Sequence, residues 1–144
     1  MKFDNNYFSE RIKCTDAEKM ECLETVKEMV RFNEIACKKG FLALEDVYTD
    51  SDFLNVSKEY LIIGNGKAEL SEICETFIIV GDYRGKEFLQ NMIIAKTLIS
   101  MAGERDGYTL HKIIPPLFGV GWLDKVNEII FSERDLCRRN DITL

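Results

Sequence analysis

Histidine, proline and long hydrophobic runs are scarce in this sequence. Its 144 residues include one histidine, His111, and two prolines, which are adjacent at positions 115 and 116. Because proline breaks helices, its scarcity leaves most of the chain free to be helical. A single histidine leaves one candidate base for nucleophilic catalysis, and its apolar context, YTLHKIIPP, favours a structural role. We therefore predict no catalytic residues and no enzymatic activity.

The five cysteines form no CxxC pair, and the cysteines and the histidine lack the spacing of a zinc site. We expect no metal and no cofactor. The N-terminal segment lacks the apolar run of a secretory signal. The longest apolar stretch, 113–123, contains two prolines and two glycines and is too short to span a membrane. These features predict a cytoplasmic protein with reduced thiols that does not span the membrane.

Acidic residues outnumber basic ones, 25 to 19, which gives a formal net charge of -6. Since proteins bind nucleic acids largely by neutralising phosphates, this charge argues against a nucleic-acid partner. Carboxylates spaced three residues apart, such as Glu18 with Glu21 and Glu69 with Glu72, alternate with lysines and are typical of solvated helix faces. The length suits one domain, residues 1–144.

Apolar residues recur with a helical period along most of the chain. Thr15 followed by Glu18 is a capping-box pattern, and the periodic pattern that follows predicts one helix from about 16 to about 47. That helix would pass through Gly40, where glycine costs about 1 kcal/mol relative to alanine. Further helices are predicted at 52–63, 68–80, 86–102, from 109 to before 115, and at 122–139, with 1–13 as a loosely attached lead-in.

These segments predict an all-α fold, a single-domain helical bundle of five or six helices with one long N-terminal helix at about 16–47. The segments YLII and TFIIV have a composition that also suits buried strands. Each of them ends a helix-periodic segment and is followed by glycine, which is common just after a helix. We therefore favour helix for both.

A charged ridge is predicted on the long helix around Gly40. On a continuous helix Lys38 and Glu45 are seven residues, or two turns, apart and share one face. Positive charge, apolar side chains and negative charge in succession suit a protein-docking surface. A competing interpretation places the apolar side chains of 41, 42 and 44 in the core and leaves the charges solvated. The predicted partner-binding residues, called the ridge below, are Lys38, Lys39, Phe41, Glu45 and Asp46.

The stretch IACKKGFLALE resembles the ARREGLLALE signature in the cytoplasmic region of MotA-type flagellar stator proteins. The segments SDFLNVSKEYLIIGNGKAELSEICE and KEFLQNMIIAKTLISMAGERDGYTLHKIIPPLFG follow the order of later segments in that family, so the resemblance covers roughly residues 28–119. It implies a helical fold and a protein partner. The chain differs from the family in having no transmembrane helices. Cys37 stands where the family has its first arginine, while Lys38 and Glu45 match the second basic position and the final glutamate.

Two other functions are compatible with the sequence. A small-molecule-binding or catalytic bundle would use an apolar pocket near helix 86–102, lined by Phe88, Met92 and Met101, with His111 or a thiol at its mouth. Methionine-rich stripes are usually core, however. A self-assembling protein would pair its long helix with that of a second copy. The leading prediction is a non-enzymatic module that binds a protein partner through the ridge.

Overall fold

The computed structural model describes residues 1–103 and 109–140, and the regular elements within them are all helical. The all-α prediction is therefore confirmed for this part of the chain. None of its helices is both long enough and apolar enough to cross a membrane. The helices are α1 (Asn5–Arg11), α2 (Asp16–Lys39), α3 (Asp52–Ile62), α4 (Lys67–Gly81), α5 (Lys86–Gly103), α6 (Leu110–Ile113), α7 (Pro115–Phe118) and α8 (Leu123–Arg139), with 3-10 helices at Phe41–Asp46 and Val120–Trp122.

Helix α2 is the long N-terminal helix, and it packs against both α5 and α8. Its capping box is present, because the side chains of Thr15 and Glu18 each accept a hydrogen bond from the other residue's main-chain N–H. Its apolar face packs in the core through buried side chains such as Val26, Met29 and Phe32. Helix α5 is buried over most of its length and packs against α2, α3 and α4. The centre of the core therefore lies between α2 and α5.

The long helix ends at Lys39, so the prediction of one helix to about residue 47 is wrong. Gly40 has a φ of 84° and a ψ of 170°, a backbone conformation that residues with a Cβ rarely adopt. The chain turns there into the 3-10 helix 41–46, which packs on α2 and α3 and buries Leu44 completely. Because the 3-10 helix also faces the core, the apolar pattern continues past Gly40 although the α-helix does not.

Gly40→Ala distinguishes the observed turn from a continuous helix by the sign of its effect on stability. In a helix interior, alanine would stabilise the protein by about 1 kcal/mol relative to glycine. In the observed conformation we expect alanine to destabilise it by about 1–3 kcal/mol. The loss would come from the backbone, because a Cβ at this position meets nothing within 4 Å. Denaturant-induced unfolding measures the difference.

Gly121→Ala is the matched control for this experiment. A Cβ at Gly121 also meets nothing within 4 Å, but the φ of Gly121 is not positive. Alanine is therefore expected to leave the stability unchanged or to raise it slightly at this position. A gain in stability for Gly40→Ala would contradict the turn and support a helix that continues through residue 40.

Residues 1–13, predicted to be a loosely attached lead-in, contain α1 and contact the core. The rings of Phe3, Tyr7 and Phe8 lie around the buried Phe88 of α5, with centroid distances of 6.1, 6.3 and 5.7 Å. Aromatic pairs at such separations contribute about 0.5–1.5 kcal/mol beyond the burial of their area. The first helix thus packs its aromatic side chains against the N-terminal half of α5.

Candidate functional site

An acidic cleft of about 500 Å3 opens between α2, the segment that leads into α3, and the first half of α5. Helices α2 and α5 pack through their apolar faces, and polar side chains of both line two walls of the cleft. Residues 50–53 form another wall. Their conformation is set by Ser51, whose hydroxyl caps α3 by accepting a hydrogen bond from the Leu54 N–H at 3.1 Å. The cleft is therefore built on three helical elements of the fold.

Every charged side chain that lines the cleft is a carboxylate, and there are six of them. Two have lysine partners outside the cleft, since Glu21 pairs with Lys86 and Glu24 pairs with Lys27. The other four have no ion-pair partner within residues 1–103 and 109–140. The cleft therefore concentrates negative charge that a cation could neutralise. The four carboxylates without an ion-pair partner are Glu28, Asp50, Asp52 and Glu87.

Three of the carboxylates form a stripe along α2. Glu21, Glu24 and Glu28 are spaced three and four residues apart, so they lie on one face of the helix and extend over about 10 Å. An extended cation can contact such a stripe at several points. In the described part of the chain, no three side chains of histidine, cysteine, aspartate or glutamate are grouped so that they could hold a metal ion.

Glu28 is the carboxylate whose protonation the cleft changes most clearly. Burial raises the pKa of Glu28 above its ordinary value of 4.5, and the neighbouring charges of Asp50 and Glu24 raise it further. The positive charge of Arg31 acts in the opposite direction and does not cancel the increase. The ionised form of Glu28 is therefore less favourable in the folded protein than in water, and a cation bound in the cleft would relieve this cost.

Asn91 lines the cleft from α5 and is only 7% exposed. Its side-chain amide has no hydrogen-bond partner among the residues that the structure describes. The amide atoms are not among the fully buried polar atoms without a partner, so they are accessible from the cleft, and an amide can both donate and accept. Because Asn91 lines the same cleft as the carboxylates, it is a polar contact for a group that enters there.

Glu28→Gln is expected to stabilise the free protein at neutral pH. The raised pKa means that the folded state binds a proton at Glu28 more readily than the unfolded state does, so the ionised side chain lowers stability as pH rises through the folded pKa. Because the site is partly exposed, we expect a gain of less than about 1 kcal/mol for glutamine. Denaturant-induced unfolding at several pH values measures it.

The gain should disappear in acid, below the ordinary pKa of 4.5, where Glu28 is protonated in both states. Glu128→Gln on the exposed side of α8 is the control, with no expected effect beyond that of an ordinary surface substitution. A Glu28→Gln variant that is less stable than the natural protein at neutral pH would contradict the interpretation that the ionised Glu28 side chain destabilises the folded protein.

The structure separates the predicted ridge residues into two groups. Lys38 donates a hydrogen bond from Nζ to the Cys137 carbonyl oxygen at 2.7 Å, near the end of α8, and Phe41 is half-buried and packs against the core. Lys38 is nevertheless exposed, and so are three other ridge residues. Because the chain turns at position 40, the two ends of the ridge do not lie on one continuous helix face. The exposed ridge residues are Lys38, Lys39, Glu45 and Asp46, and of these Lys38 also contacts the end of α8.

The residues of the alternative apolar pocket lie in the core. Phe88, Met92 and Met101 are each at most 1% exposed and belong to the main hydrophobic cluster. The His111 ring packs 5.5 Å from the Phe131 ring, centroid to centroid. Helix α5 meets the acidic cleft through other residues, mainly polar ones on its first turns. A second opening of about 280 Å3 beside α5 does include Met92, and its other lining residues are Met1, Phe3, Asn5, Phe8 and Lys96.

The sequence contains a signal for only one part of the acidic cleft. The α2 stripe can be recognised from the spacing of its three glutamates, although the same spacing is typical of a solvated helix face. Asp52 and Glu87 have no such signal. They lie far from the stripe along the chain and reach it only because α3 and α5 pack on the same side of the fold.

Comparisons with protein-family models, with curated proteins and with solved structures found no match to this chain. The resemblance to MotA-type stator proteins therefore stays a prediction from the quoted segments. Inferences about function depend on the geometry of the cleft.

Proposed function

We propose that this protein is a non-enzymatic interaction module that captures a positively charged segment of a partner protein in the acidic cleft. The proposal is carried by one observation: four carboxylates without ion-pair partners in the described residues line the same cleft as the unpartnered amide of Asn91. A lysine or arginine side chain would supply positive charge to the carboxylates and N–H donors to the Asn91 oxygen.

The dimensions of the stripe favour an extended basic segment. The carboxylates of Glu24 and Glu28 are attached about 6 Å apart along the axis of α2. Alternate residues of an extended chain are about 6.6 Å apart and point to the same side. Two basic side chains at alternate positions of an extended segment would therefore match two successive carboxylates of the stripe.

The binding energy would come from several modest contributions. Exposed ion pairs are worth about 0.2–1 kcal/mol each, and we expect the partly buried Glu28 to contribute more than the exposed carboxylates of the cleft. Charge complementarity also accelerates association and disfavours acidic partners. Because salt screens exposed charges, the affinity should fall as ionic strength increases.

The test measures the binding of a short peptide with arginine at alternate positions, by calorimetry or fluorescence anisotropy at two ionic strengths. The cleft variant is Glu24→Gln/Glu28→Gln/Glu87→Gln, and we expect it to bind about tenfold more weakly or worse. The control has the same net charge but changes exposed residues outside the cleft. It is Glu45→Gln/Asp46→Asn/Glu128→Gln, which includes the two ridge carboxylates.

The outcomes separate the cleft from the ridge. Loss of binding in the cleft variant alone supports the proposal. Loss in the control variant alone would place the docking surface on the ridge, as the sequence predicts. Failure of the arginine peptide to bind the natural protein at low ionic strength would overturn the proposal for the cleft.

The predicted link to stator proteins and the predicted cytoplasmic location are independent of this proposal. The resemblance implies a protein partner, which agrees with the proposed class of function. The acidic cleft, which is formed by α2, α5 and the start of α3, favours a partner with a basic segment.

A further inference from the structure

An apolar groove of about 160 Å3 adjoins the acidic cleft on the side of α3 and α4. It is lined by Asp52, Phe53, Val56, Ser57, Phe77 and Tyr83. Three of these residues, Asp52, Phe53 and Tyr83, also line the cleft, so the two openings form one continuous surface. An engineered apolar cavity of roughly 150 Å3 holds a benzene molecule, so the groove has room for one large apolar side chain.

The boundary between cleft and groove is built from two aromatic rings. Phe53 and Tyr83 pack edge to face, with a centroid distance of 6.3 Å and an interplanar angle of 86°. Phe53 is 7% exposed, whereas Val56 in the groove is 48% exposed. Within the shared wall Phe53 is buried, Tyr83 is half-buried and Asp52 is exposed. The groove keeps accessible apolar surface at Val56.

We infer that the partner segment carries a large apolar side chain beside its basic residues, and that this side chain enters the groove while the basic residues occupy the cleft. This inference rests on the proposed function of the cleft. A basic and apolar peptide segment fits this surface because the acidic cleft and the apolar groove adjoin at Asp52, Phe53 and Tyr83. A second copy of this chain, with a net charge of -6, complements the acidic cleft less well.

The expected specificity combines both surfaces. The cleft alone would bind any basic segment of suitable spacing. The groove would discriminate among such segments by the apolar side chain, because its burial adds favourable transfer of apolar surface from water. Binding should therefore depend on both halves of the surface, and only the contribution of the cleft should depend strongly on salt.

The test uses two peptides of equal charge, each with arginine at alternate positions. One carries leucine beside the arginines and the other carries serine at the same position. We expect the leucine peptide to bind the natural protein about tenfold more tightly. Val56→Gln should remove this preference and leave the affinity for the serine peptide unchanged. Val120→Gln is the control, because Val120 is 94% exposed and does not line the groove or the cleft.

The outcomes of this experiment distinguish the inference about the groove from the proposal for the cleft. Equal affinity of the natural protein for the two peptides overturns the inference about the groove and leaves the cleft proposal intact. Failure of both peptides to bind overturns the cleft proposal and, with it, the inference. Light scattering measures whether the natural protein self-associates. If it does, and if Val56→Gln abolishes the self-association, a second copy occupies the groove and the inference is overturned. Unfolding curves of each variant verify that the fold is retained.

Discussion

Glu34→Ala is expected to lower the free energy of unfolding by about 3–5 kcal/mol, the usual cost of removing one partner from a buried ion pair. Glu34 of α2 is 4% exposed, and its Oε1 lies 3.9 Å from Arg134 Nε and 3.3 Å from Arg138 Nη2. Arg134 of α8 is itself 6% exposed. Without the carboxylate, Arg134 and Arg138 lose their ion pairs with Glu34 in the interface between α2 and α8.

A series of variants separates the charge from the packing. Glu128→Ala on the exposed side of α8 is expected to have little effect, because surface substitutions usually stay within about 0.5 kcal/mol. The double variant Glu34→Met/Arg134→Met should recover much of the loss, since apolar residues can replace a buried ion pair at little cost. Denaturant-induced unfolding followed by circular dichroism measures all three. A loss below about 1 kcal/mol for Glu34→Ala would show that the pair is effectively solvated.

The beginnings of the helices could be predicted because their signals are local. The capping box at Thr15 and Glu18 correctly places the start of α2 at Asp16. Ser51 caps α3, which starts at Asp52 as predicted. Each signal involves residues within one helical turn, so its interpretation does not require the rest of the fold.

The end of α2 could not be predicted in the same way. A glycine is compatible with a continuing helix at a modest cost and with a left-handed turn at none. The choice at Gly40 is decided by contacts made elsewhere, above all by the burial of Leu44 against α2 and α3. These contacts are formed between separate elements, and no local pattern in the sequence encodes them.

Charged residues at buried positions are the second kind of feature that the sequence conceals. Lysine and glutamate are rarely fully buried unless they are paired, so a sequence pattern assigns both to the surface. Lys58 on α3 and Glu34 on α2 are 0% and 4% exposed, respectively. Each is buried because its partners come from another element, which for Lys58 is the segment that follows the turn at Gly40.

Lys58 of α3 forms hydrogen bonds to the segment that follows the turn at Gly40. Its Nζ donates hydrogen bonds to the carbonyl oxygens of Leu44 at 3.0 Å and Glu45 at 3.2 Å, and to that of Val47. These carbonyls lie at the end of the 3-10 helix 41–46, where main-chain acceptors begin to lack partners within the helix. That of Leu44 also accepts a hydrogen bond from the Val47 N–H at 3.1 Å. The Tyr48 ring centroid lies 4.1 Å from the same Nζ, which adds a cation–π contact. One buried side chain thus donates to three carbonyl groups of the segment that follows the turn.

Lys58→Met is therefore expected to destabilise the protein by about 2–4 kcal/mol, although methionine preserves the apolar stem. The loss arises because three carbonyl oxygens lose their charged donor at once. The Leu44 oxygen keeps its hydrogen bond from the Val47 N–H, so most of the cost falls on the oxygens of Glu45 and Val47. Lys112→Met, at an exposed position, is the matched control and should change stability by no more than about 0.5 kcal/mol. Hydrogen exchange adds a local measurement, since the amides of residues 41–47 should lose protection more than those of α5. Two results would contradict this prediction: uniform loss of protection across the fold, or a Lys58→Met variant as stable as the control. Either result would mean that Leu44 and its apolar neighbours stabilise the turn after Gly40, and that the buried ammonium group does not.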